Sequence, residues 1–219
     1  MKKISNNNAG FSLIEMVVAV LIASLLMLGV AAFVSTSRYT YSKVSTEARL
    51  QEEATAATNF LNELLIESKQ CGSGTVNDSA SGKTLDYIWI KALQDDPSAV
   101  DAKKIYTYFI VFEKPDTASG ETSGVLRFKK VLENDSGKLN VTINASTGKE
   151  VMTISNATSY FSDVVGNKYA FICRCVTEMT LNSVKSTNGY LHKVNLSFKY
   201  NGKDFSATVN NLSRNKASN

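Results

Sequence analysis

The chain has 219 residues, a formal net charge of +4 at pH 7 and 43% hydrophobic residues. That length allows one domain or two small ones, and basic and acidic residues are interspersed, so no basic tract marks a nucleic-acid partner. One histidine and three cysteines leave little material for catalysis or metal binding.

The N-terminus opens with Lys2 and Lys3 and enters an apolar run at Phe11. From Met16 to Val34 only Ser24 interrupts it, and these roughly 19 residues, at about 1.5 Å each, match the ~30 Å hydrocarbon thickness of a bilayer. The short basic leader favours an N-terminus left in the cytoplasm, although Arg38 and Lys43 beyond the run make the positive-inside count nearly a tie. A secretory signal peptide cut near Gly29-Val30-Ala31, or a plain signal anchor, are alternatives. The length of the run and the acid Glu15 near its start argue against the first.

Past the run, Leu50, Ala54, Ala57, Leu61, Leu64 and Leu65 recur at threes and fours, the spacing of one helix face. No proline occurs before Asp96, and Gly72-Ser73-Gly74 is the next strong breaker, so one helix is predicted from about Phe11 to about Gln70. The period then falls to two. Thr84–Ala92, Ile105–Glu113 and Val125–Leu132 read as strands, as do Glu150–Ile154 and Tyr169–Met179, with a loop-rich stretch at Asp116–Gly124. Leu191–Tyr200 and Lys203–Leu212 flank Asn201-Gly202, a pair suited to the positive φ angles of a tight hairpin. The expected class is α+β, a long helix whose apolar face covers one side of an antiparallel sheet.

Glu15 is the anomaly. Ser12-Leu13-Ile14-Glu15 fits a capping box, in which the serine oxygen and the glutamate carboxylate each accept from the other's backbone N–H. Within an apolar segment, however, a central charge costs about 2.5–3.5 kcal/mol on insertion scales, which calls for a cationic partner. Cleavage after Gly10 would create one, the α-amine of Phe11, on the same chain or a neighbouring one.

These residues, "GFSLIEMVVAVLIA", resemble the processing site of type IV prepilins and of the pseudopilins of type II secretion. The resemblance implies a leader over residues 1–10, cleavage between Gly10 and Phe11 by prepilin peptidase, N-methylation of Phe11, and subunit assembly through Glu15. It further implies a transmembrane and filament-core helix over 11–34, an amphipathic continuation over 35–70 and a globular sheet domain over 71–219, the pilin fold. Expected partners are the peptidase, major and other minor pilins and the inner-membrane assembly platform; no cofactor and no enzymatic activity are expected. The expected location is the cytoplasmic membrane as a single-pass protein, then an extracellular filament or the cell surface. "RLQEEATAATNFLNELLIES" and "VNNLSRN" are similar to W-like minor pilins and J-like minor pseudopilins, and Ala32 stands where many major pilins carry a helix-kinking proline. Pilus, secretion pseudopilus and DNA-uptake machinery share the motif. A tip adhesin that binds through the Asp116–Gly124 stretch is a further alternative.

Among the cysteines, Cys173 and Cys175 fall two apart in a predicted strand and so share a face, poorly placed to bond each other. One of them could bridge to Cys71 in an extracytoplasmic domain. Buried thiols are the plain alternative, and zinc held by Cys71, Cys173, Cys175 and His192 is the weakest, since the spacing matches no standard finger. Gly72-Ser73-Gly74 and Ser81-Gly82-Lys83 lack the context of phosphate loops, Asp95-Asp96-Pro97 reads as a solvated turn rather than a calcium site, and the Asn-x-Ser/Thr triplets follow from composition.

Overall fold

The computed structural model describes residues 12–77, 84–95, 103–115, 120–132, 139–143, 150–154, 169–186 and 189–212. It divides into two compact units, residues 1–45 and 46–219. In the first, every described residue from Ser12 to Ser45 is helical or caps the helix, and all are exposed.

The helix α1 runs Leu13–Ile66. Within the second unit its buried face is Thr46, Leu50, Ala54, Ala57, Leu61, Leu64 and Leu65, the stripe predicted from spacing with Thr46 added. The strands follow as β1 (Ser68–Asn77), β2 (Thr84–Asp95), β3 (Lys103–Glu113), β4 (Gly124–Leu132), β5 (Leu139–Ile143), β6 (Glu150–Ile154), β7 (Ala170–Ser186), β8 (Gly189–Tyr200) and β9 (Lys203–Leu212). All but β5 and β6 form one antiparallel sheet in the order β1-β2-β3-β4-β7-β8-β9, while β5 and β6 pair with each other. The class is α+β, with the helix packed on the sheet.

Alternation along β2 and β3 gives this sheet two buried faces. Ile88, Ile90, Ala92, Ile110 and Phe112 join the helix stripe in one core. Tyr87, Trp89, Phe109 and Val111 point the other way, into a second core with Met152 of β6 and Tyr169. A strand covered on both sides reads as a continuous apolar run, as "YIWI" does. Polar ties reinforce the helix side: the Arg174 backbone N–H donates to Glu53 Oε2 at 2.7 Å, Asn211 Nδ2 donates to Asn62 Oδ1 at 2.7 Å, and the Arg49 guanidinium lies 4.6 Å from the Tyr200 ring centre.

The helix stops earlier than its spacing predicts. It ends at Ile66, where Ser68 Oγ donates to the Leu65 carbonyl at 2.7 Å, and the supposed breaker Gly72-Ser73-Gly74 lies inside β1. These glycines leave room for aromatic rings on the paired strand. Gly72 is opposite Trp89 and Gly74 opposite Tyr87, and a Cβ at either would come within 2.7 Å of the facing side chain. The later strand predictions stand, with β7 extending to Ser186, beyond the predicted Met179, and β5 added. Asn201 and Gly202 have φ of 47° and 73°, the paired positive values of the predicted hairpin. Of the loop-rich stretch, Gly120–Ser123 lie outside any strand and 116–119 fall outside the described residues.

Candidate functional site

The N-terminal end of α1 carries the first candidate group. The Ser12 backbone N–H donates to Glu15 Oε2 at 3.0 Å, and the Glu15 N–H donates to Ser12 Oγ at 3.3 Å. This is the reciprocal capping box, two otherwise orphaned donors satisfied at once. The acidic side chain also meets the positive end of the helix dipole. It is thereby folded back toward the start of the chain. Gly10 and Phe11, the predicted cleavage pair, lie outside the described residues. From Leu13 onward α1 is long and apolar enough to cross a membrane.

The second candidate group is the cysteine and histidine set, and the structure separates it. Cys71 of β1 faces His192 of β8, with Sγ 2.8 Å from Nδ1, and Ser183 Oγ of β7 lies 2.9 Å from the same nitrogen. Cys173 and Cys175 lie elsewhere on β7. His192 pairs with Ser183 in the sheet register, and ten positions of β7, interrupted by a bulge between Val176 and Glu178, separate Ser183 from Cys173. The zinc quartet therefore does not assemble; among the described residues no three His, Cys, Asp or Glu side chains are placed to hold a metal. All three cysteines are buried thiols, with Cys71 directed at His192 rather than at Cys173 or Cys175.

Burial sets the chemistry of these groups. It pushes the Cys173 thiol up to about 12, with the nearby Glu53 carboxylate adding to the effect, and it raises Cys175 in the same way, again with Glu53 as the next cause. Burial thus disfavours the thiolate form of both side chains. Cys175 also holds a left-handed backbone, φ 64°, beside a bulge in the β7–β8 ladder between Val176 and Glu178. At that bend β7 leaves its pairing with β4 and continues beside β8.

His192 is 1% exposed, and burial lowers its pKa from 6.5 to about 4. The unfolded chain takes up a proton near pH 6.5 that the folded chain refuses until about pH 4, so this group's contribution is complete above pH 6.5 and is lost as pH falls toward 4. The expected loss is on the order of 2–3 kcal/mol. Urea denaturation at neutral pH and near the folded pKa should show it, and the His192→Gln variant should lose much less between the two conditions. Equal losses in both proteins would show that other groups dominate.

Sequence reasoning set Cys71 beside His192 only within the zinc alternative and did not find Ser183; Cys71 and His192 lie 121 positions apart, Ser183 and His192 nine. Only the strand register brings them together.

A family model for the prokaryotic N-terminal methylation motif matches residues 5–31. No curated protein and no solved structure matches the chain. The matched segment covers Gly10, Phe11, Ser12 and Glu15 and most of the apolar stretch of α1. With this prokaryotic N-terminal methylation motif at the head of a long apolar helix and an antiparallel sheet packed on that helix, the chain has features consistent with the type IV pilin and pseudopilin family.

Proposed function

We propose that this chain is a minor type IV pilin-like subunit, held in the cytoplasmic membrane by residues 11–34 until it is drawn into a filament or its initiation and tip complex. Prepilin peptidase removes residues 1–10, cutting between Gly10 and Phe11, and the new Phe11 amine is methylated. Beyond the bilayer α1 continues to Ile66, and the chain from Thr46 onward, the last turns of the helix included, makes up the globular domain. The observation that carries this reading is the methylation motif set directly against an apolar helix of membrane-spanning length. Glu15, already turned toward the N-terminus by its capping box, is suited to receive the amine that cleavage creates. The work is assembly with major and other minor pilins on the inner-membrane platform, rather than chemistry by this chain.

The minor-subunit assignment draws support from Ala32, which leaves the first half of α1 free of the proline that would kink it. A pseudopilin of a secretion or DNA-uptake system has the same motif and the same anchor. Deleting the gene separates the roles. Loss of all filaments is the expected result and marks a priming subunit; normal filaments that no longer attach would favour a tip adhesin instead.

A further inference from the structure

The apolar segment Leu13–Val34, at about 1.5 Å per residue, is roughly 33 Å long, enough for a bilayer core. Three small polar residues, Ser35, Thr36 and Ser37, follow it, and then Arg38, Tyr39, Tyr41 and Lys43 on the same helix. Both tyrosines stand out from the helix, Tyr39 73% and Tyr41 77% exposed. At about 100° per residue they lie about 160° apart around the axis, with Arg38 between them and Lys43 beside Tyr39. No surface that touches one side of a helix can cover both rings. A lipid layer, which surrounds the helix, covers both.

The depth also fits. Tyr39 and Tyr41 follow Val34 by roughly 7 and 10 Å of helix rise, and helical side chains lean toward the N-terminus, here the membrane side. Their rings therefore hang back into the layer of about 5–7 Å that headgroups occupy on each side of the core. Tyrosine favours that layer because its ring is apolar and its hydroxyl is wet, and arginine and lysine can lay their stems on lipid while their charges meet phosphate.

We propose that Arg38, Tyr39, Tyr41 and Lys43 form a collar that binds phospholipid headgroups and fixes the depth of the span. This rests on the reading of Leu13–Val34 as a bilayer anchor. The rival occupant is a neighbouring helix on the face of Phe33, Tyr41 and Val44, which share one side of α1. That partner would cover Tyr41 and leave Tyr39 uncovered.

The test uses the full chain in liposomes of phosphatidylcholine and phosphatidylglycerol, carrying Tyr39→Trp or Tyr41→Trp. The phosphatidylcholine is brominated either near the headgroup end or near the terminal methyl of its acyl chains. Trp89 is fully buried in the sheet, so the wild-type chain supplies the background emission. The collar predicts that the added emission of both variants is quenched about twofold or more better by the shallow bromines than by the deep ones. Quenching confined to Tyr39→Trp would indicate a second copy on the Phe33–Val44 face and overturn the collar, as would no quenching in either variant while the protein still floats with the liposomes. Failure to float would overturn the anchor reading itself.

Discussion

Replacing Trp89 with alanine is expected to destabilise the sheet domain by about 3–5 kcal/mol, the range for removing a buried tryptophan. Its ring is fully buried, sits among Tyr87, Phe109, Val111, Met152 and Tyr169, and lies over Gly72 on the paired strand. Truncation would leave a cavity on the face away from the helix and uncover a glycine that contributes no side chain of its own. Against a total of about 5–15 kcal/mol for an ordinary domain, that is a large share. Urea denaturation followed by circular dichroism measures it without relying on tryptophan emission. Filling the same space from the opposite strand with Gly72→Ala should cost a further, separate 1–3 kcal/mol or so by overpacking. A loss below about 1 kcal/mol for Trp89→Ala would mean that this second core contributes little.

The second large effect concerns Glu15. Its carboxylate accepts the Ser12 N–H at 3.0 Å, so within the isolated chain the acid is a helix cap. A cap alone is worth about 0.5–2 kcal/mol and is felt only locally. If the acid also meets the α-amine of Phe11 in low dielectric, Glu15→Ala removes an ion pair whose loss leaves a charge uncompensated in the filament core. The expected result is normal cleavage but at least about tenfold less incorporation into filaments, a change of about 1.4 kcal/mol or more in assembly. Comparing Glu15→Ala with Ser12→Ala separates the two roles, because the serine change removes the hydroxyl partner of the cap and keeps the carboxylate. Equal behaviour of the two variants would reduce Glu15 to a cap.

Much of the fold was legible because it repeats a simple period. The stripe from Leu50 to Leu65 gave the buried helix face, and Asn201-Gly202 gave the β8–β9 hairpin, since both are local patterns with a direct backbone cause. The end of the helix was not legible. Gly72 and Gly74 read as breakers when seen alone, and only the opposite strand shows that they make room for Trp89 and Tyr87. The second core escaped for a related reason: "YIWI" signals a strand buried on both faces without saying what lies on the far one. At the candidate site, the capping geometry of Glu15 was legible, because it follows from the spacing to Ser12. The pairing of Cys71 with His192 was not, because it depends on the register of β7 with β8 and on where β1 comes to rest.

The most direct test of the central claim is mass spectrometry of the N-terminus of the mature protein isolated from its native membrane or filament. The account predicts a chain that begins at Phe11 and carries a methyl group on its α-amine. A mature chain that begins at Met1, or after Ala31 as a signal peptide would leave it, would contradict the account.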